Sequence, residues 1–348
     1  MFRVDPGALD EKIYKEIIEH AATILREGGL VAFPTETVYG LGANALDSHA
    51  VARIYEAKGR PSNNPIILHV ATVEAVQSVV SVWPQSAVRL AARFWPGPLT
   101  LVLPRAAGIP DIVTGGGPTV GVRVPAHPVA LALLLAAGVP IAAPSANLSL
   151  QLSPTRASHV LADLDGRIAA VLDGGSTTGG LESTVLNLTT EIPILLRPGL
   201  ISPAEIETVI GPIQRHYEPM PTPRNAPLPA PGMLSRHYAP RAPLEIAASG
   251  SSKRLEALLD SGAVVGWLKR EESLPLPFKN RRFMDLARSG NLHLIRMPTD
   301  PQEYAAVLYD RLHELDALGV TRILVDALPE NEAWLAIRDR LDRAAAKL

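Results

Sequence analysis

Seven short stretches between residues 33 and 199 bring together groups that can hold anions and polar ligands. FPTETVYGLGANA (33–45) runs from an apolar strand into Pro34 and three hydroxyl or acidic side chains and then offers Gly40 and Gly42. Such glycines allow a ligand to approach the backbone closely, although an isolated G-x-G is more often a tight turn. AKGRPSNNPIILHV (57–70) places Lys58 and Arg60 at the end of a helix and Asn64 just before a strand. Cations there also suit the helix dipole, so capping competes with ligand binding. GGGPTVGVRVP (115–125) sets Thr119 and Arg123 in an otherwise apolar strand, where a guanidinium needs a carboxylate or phosphate. APSANLS (143–149), followed by Ser153, lines up Ala143, Ser145 and Asn147 at a strand end. GGLESTVLNL (179–188) supplies Ser183, and LLRPG (195–199) closes a strand with Arg197. FWPGPLTLVL (94–103) reads as structural, its prolines and aromatics fixing a turn. His69 alone on an apolar strand is more often a satisfied core histidine than a catalytic one.

Other chemistries are missing. There is no cysteine, so thiolate nucleophiles, disulfides and Cys-based zinc sites are excluded. No G-x-x-x-x-G-K-[ST], G-x-S-x-G or H-E-x-x-H occurs. What remains is Lys58, Arg60, Arg123 and Arg197 among hydroxyls and amides, a set suited to phosphates and carboxylates.

The elements that must position these residues can be read from periodicity. Ile13, Ile17, Ala21 and Ile24 make one stripe of a helix that starts after Asp10 and closes at Gly28-Gly29. Strands are expected at 30–33, 66–70, 99–103, 120–124, 141–143, 168–172, 185–188 and 194–196, and helices at about 48–58, 73–80, 86–94, 128–137 and 202–210. Their irregular alternation predicts a mixed twisted sheet with packed helices. A cleaner alternation over 244–348 predicts a smaller, Rossmann-like parallel α/β domain, without a G-x-G-x-x-G after its first strand.

A chain of 348 residues exceeds the size of one typical core. Eight of its 32 prolines fall between Pro219 and Pro243, which reads as a stiff connector. The expected division is 1–210, a linker over 211–243, and 244–348. No apolar run is long enough to span a bilayer and the N-terminus has no export signal, so a cytoplasmic, membrane-free protein is expected. The net charge of −2, with the first 210 residues acidic and the rest only weakly basic, argues against a nucleic-acid surface and against direct tRNA binding.

Taken together and in this order, the seven stretches resemble the YrdC-type threonylcarbamoyl-adenylate synthase family, over residues 20 to about 210. PGMLSRHYAP (231–240) resembles the linker of the long, two-domain members. The resemblance implies an α/β catalytic domain that joins L-threonine, bicarbonate and ATP, with Mg²⁺ on the phosphates, into threonylcarbamoyl-AMP and pyrophosphate. A downstream threonylcarbamoyl transferase would then carry the product to tRNAs reading codons that start with A. It implies ATP contacts from Lys58, Arg60, Asn64, Thr119, Ser145, Asn147, Ser153, Arg197 and Tyr238, Lys58 and Arg60 being the catalytic pair, and no protein-borne metal site. Threonine contacts are implied for Thr37, His69, Arg123, Ala143 and Ser183. The linker is expected to fold back over the crevice. Carbamoyl-adenylate formation, as in hydrogenase-maturation relatives, is the enzymatic alternative, but the Cys motifs of those proteins are absent; an RNA-binding module is the other.

Overall fold

Side chains alternate between the two faces of a strand, so each apolar run commits one face to a core. A computed structural model shows where those faces go. It describes residues 1–4, 10–215, 227–228, 230, 232, 234, 236–247, 251–270 and 290–346. The chain divides into two compact units, Met1–Ser149 with Ser153–Leu234, and Leu150–Leu152 with Ser235–Leu348. Residues 216–226, 229, 231, 233 and 235 of the expected linker lie outside the described residues.

Among the described residues the first unit is built on eleven strands. In chain order they are β1 (Phe2–Arg3), β2 (Val31–Phe33), β3 (Gly40–Asn44), β4 (Leu68–His69), β5 (Leu99–Pro104), β6 (Thr119–Arg123), β7 (Ile141–Ala142), β8 (Ala170–Asp173), β9 (Thr184–Asn187), β10 (Ile194–Arg197) and β11 (Gln214–Arg215). They lie in the order β1-β8-β2-β3-β7-β4-β6-β5-β9-β10-β11. The sheet is mixed, as expected. β4 runs parallel to β6 and β5 to β9. β7 runs antiparallel to β4, and β5 to β6.

Its two faces are covered differently. Leu41, Leu68, Leu101, Val122, Leu186 and Leu195 share one face and enter a large core with α2 (Ser48–Lys58) and α3 (Gln85–Phe94). On the opposite face Val31, Phe33 and Ile141 pack under α1 (Glu11–Arg26), which Asp10 caps by accepting a hydrogen bond from the Lys12 N–H at 2.9 Å, and a helix over Pro128–Ala137. Past β7 this second face carries a small apolar cluster of Val102, Val185 and Leu196 with Ala230. Each of the larger buried side chains contributes about 1.5–3 kcal/mol.

In the second unit β12 (Leu244–Ala247), β13 (Val265–Arg270), β14 (Leu292–Met297) and β15 (Arg322–Asp326) form a wholly parallel sheet in the order β12-β15-β13-β14. Helices over Ser251–Asp260, Pro301–Ala317 and Leu335–Ala345 accompany it. Buried Trp267 donates to Asp326 Oδ1 at 2.8 Å.

Two sequence expectations need correction. Gly40 and Gly42 do not form a turn but sit inside β3, where the missing side chain of Gly42 lets the strand pass Phe33 and Ile141. A Cβ on Gly42 would stand 2.9 Å from both side chains. The helix over Ala157–Leu164 was not anticipated, and the helix expected at 73–80 is a 3₁₀ segment, Glu74–Ser78.

Candidate active site

Strand register carries the candidate residues to two ends of the same few strands. His69 closes β4 and stands directly opposite Arg123, which closes β6. Thr119 opens β6, four residues earlier and roughly 13 Å away along the strand. β7 runs the other way, so Ser145, just beyond it, lies at the Thr119 end with Asn64. The set thus separates into a Thr119 corner and an Arg123 corner.

At the Thr119 corner, α2 ends on Gly59 in the left-handed conformation (φ 59°), which frees Lys58 to turn away from its own helix. Its ammonium donates to the backbone carbonyls of Ser145, at 2.6 Å, and Asn147. Capping is therefore not its role. Burial, with the nearby Arg60 charge adding to it, holds the Lys58 pKa well below the usual lysine value, while Asp163 acts in the opposite direction. Arg60 donates to Asn64 Oδ1 and to the Pro65 carbonyl, both at 2.7 Å, and so fixes the turn that precedes β4. Ser145 is bridged to Gly40 at the start of β3, and Ala143 is held by its N–H to the Ile67 carbonyl at 3.0 Å.

At the Arg123 corner the guanidinium is buried and held on three sides. Nε donates to the Gly97 carbonyl at 3.1 Å, Nη1 to Thr37 Oγ1 at 3.0 Å, and Nη2 lies 2.5 Å from Glu36 Oε1. Thr37 is in turn 2.7 Å from Thr35 Oγ1. His69 is buried against Phe33, edge to face at 6.3 Å, and its Nδ1 has no hydrogen-bond partner. Desolvation, followed by the Arg123 charge, lowers its pKa to about 3. It is a neutral imidazole at physiological pH, as a core histidine would be, but with an unused polar atom.

Arg197 stands at the Arg123 end rather than with the other residues read as nucleotide contacts. Its Nη2 donates to the Ser183 carbonyl at 3.0 Å and to Ser183 Oγ at 3.2 Å, and Ser183 Oγ is 2.7 Å from Thr100 Oγ1. Ser153 Oγ donates to Glu182 Oε1 at 2.5 Å, beside Ser183 in the chain. Tyr238 belongs to the second unit, where the Arg340 guanidinium lies 5.1 Å from its ring centre.

Sequence reasoning passed over Glu36, Thr100 and Glu182 as individual residues. The signal for Glu36 was available: an acidic residue in a strand-end turn, in a chain with a valine-flanked arginine that needs a counter-charge.

Two family models cover the chain: one described as "Telomere recombination" matches residues 23–199, and one described as "Threonylcarbamoyl-AMP synthase, C-terminal domain" matches residues 201–346. The threonylcarbamoyl-AMP synthase of Bacillus subtilis is 46% identical over 333 residues, 94% of this chain and 92% of that protein. The chain belongs to the threonylcarbamoyl-AMP synthase family. That of Pyrococcus abyssi is 44% identical over 343 residues, 96% of each chain. The crystal structure of P. abyssi Sua5 complexed with L-threonine superposes with a TM-score of 0.86 at 42% identity, covering 99% of this chain and 97% of that one. Membership in the threonylcarbamoyl-AMP synthases makes the chain an enzyme of the nucleotidyltransferase class and matches the family expected from the seven stretches. Among the described residues no helix is long and apolar enough to cross a membrane.

Proposed function

We propose that the enzyme condenses L-threonine, bicarbonate and ATP into threonylcarbamoyl-AMP and pyrophosphate, with the Arg123 corner holding the amino acid and the Thr119 corner holding the nucleotide. The observation that carries this is the His69–Arg123 pair with Thr37 on the guanidinium, a buried cation beside a neutral polar ring. It suits an α-carboxylate together with a small hydroxylated side chain.

The amine takes up the carbon of bicarbonate with loss of water, giving a carbamate. A carbamate oxygen then attacks the α-phosphorus and pyrophosphate departs. This chemistry needs alignment and charge neutralisation rather than a covalent nucleophile. Thr37, Arg123, Ser183 and His69 orient the amino acid, and Ala143, on the Thr119 side of His69, borders it. Lys58, Arg60, Asn64, Thr119, Ser145 and Asn147 receive the nucleotide, and Arg197 and Ser153 face the join between the two. Among the described residues no three His, Cys, Asp or Glu side chains gather into a metal site. Mg²⁺ would serve as a companion of the phosphates, held by their oxygens.

The product is a mixed anhydride that passes to a threonylcarbamoyl transferase acting on tRNA. The experiment is an omission series: ATP, bicarbonate and threonine are each withheld in turn while pyrophosphate and the adenylate are measured. Pyrophosphate release that persists without threonine or bicarbonate sinks this reading.

A further inference from the structure

We propose that Glu36 is the positioning residue that receives the α-ammonium of the substrate, so that Arg123 and Glu36 together read a zwitterion. The inference rests on the amino-acid reading of the Arg123 corner.

Three observations lead to it. The Glu36 and Arg123 side chains are only 14% and 4% exposed and pair at 2.5 Å, while the other guanidinium nitrogens are already committed to Gly97 and Thr37. The backbone of Glu36 is anchored, its carbonyl accepting from the Gly179 N–H at 2.8 Å. Yet both carboxylate oxygens are buried and accept no hydrogen bond. An ionised carboxylate has room for about four donors. Glu36 is held by charge alone, with its accepting capacity unused.

An α-amino acid carries its two charges on groups attached to one carbon. Its carboxylate can approach Arg123 only by bringing an ammonium alongside, to an end of the sheet that already holds Arg123 and Arg197. A desolvated ammonium there needs an anion. Glu182 is engaged with Ser153. Glu36 is the carboxylate in contact with Arg123, and a zwitterion laid against the pair satisfies both partners at once. The same arrangement rejects a hydroxy acid, which would leave Glu36 facing a group with no positive charge.

The test compares L-threonine with 2,3-dihydroxybutanoate, the same skeleton with a hydroxyl in place of the amine, by calorimetry on the full chain and its Glu36→Gln and Glu36→Asp variants. The expected result is that Glu36→Gln weakens L-threonine by about tenfold or more, that Glu36→Asp recovers part of the loss, and that dihydroxybutanoate binds Glu36→Gln at least as well as the parent. Equal losses for both ligands, or unchanged threonine binding, overturn the proposal. If the analogue binds neither form, steady-state kinetics decide: a tenfold rise in the threonine KM at nearly constant kcat supports it, and a fall in kcat alone overturns it. A parent protein that binds no threonine removes the amino-acid reading itself, and this inference with it.

Discussion

His69 and Arg123 face each other across the β4–β6 ladder, and the arginine is one reason the histidine stays neutral. In the unfolded chain a histidine titrates near 6.5, whereas burial and Arg123 lower the native value to about 3. Between those values the unfolded state binds a proton that the native state refuses. Stability therefore falls as pH drops from about 6.5 toward 3, by up to about 1.4 kcal/mol per pH unit from this group. Denaturant unfolding of His69→Gln over that pH range should show a shallower fall than the parent. Parallel curves would mean that His69 is not buried neutral.

Replacing Arg123 separates charge from geometry. Arg123→Lys retains a cation but cannot serve Gly97, Thr37 and Glu36 together, so threonine-dependent pyrophosphate release should drop by about a hundredfold or more. Arg123→Ala also leaves Glu36 buried without its partner and should cost roughly 3–5 kcal/mol in stability. Activity and thermal melts measured side by side check both. A lysine variant with parental turnover would remove Arg123 from the site.

Lys58 is the cation whose charge is most easily altered, because burial and Arg60 already lower its pKa. A triphosphate beside it favours the ammonium. Nucleotide binding should therefore take up protons, and affinity should fall as pH rises. Calorimetry in buffers of different ionisation enthalpy measures the uptake, and Lys58→Met should abolish it. Proton release on binding would contradict the assignment.

Gly42 tests the packing beneath the site. A valine side chain at this position would begin 2.9 Å from Ile141 and Phe33, so Gly42→Val should destabilise the first unit by about 1–3 kcal/mol. Urea unfolding measures the loss. A neutral substitution would show that β3 can move aside at no cost.

Much of this could be read from the chain before any coordinates. The strand containing Arg123 announced a buried cation, and the clean alternation after residue 244 announced a parallel sheet; both are present. Gly40 and Gly42 misled because glycine signals backbone freedom, and the sequence does not say whether a turn or a close strand crossing uses it. The Ala157–Leu164 helix, whose N-cap Arg156 makes no side-chain cap bond, went unread. The division of the site into two corners depends on β7 running against β4, a matter of long-range pairing that no local pattern records.

Among the described residues, helix α1 and the Pro128–Ala137 helix pack on the second sheet face as far as β7, and beyond that line the small Val102, Val185, Leu196 and Ala230 cluster lies beside the polar groups of the two corners. Ligands that bind there, and to the native form alone, would add to the stability of the fold. The protein's heat tolerance should follow the abundance of its own substrates, rising when they are plentiful and slackening in starvation.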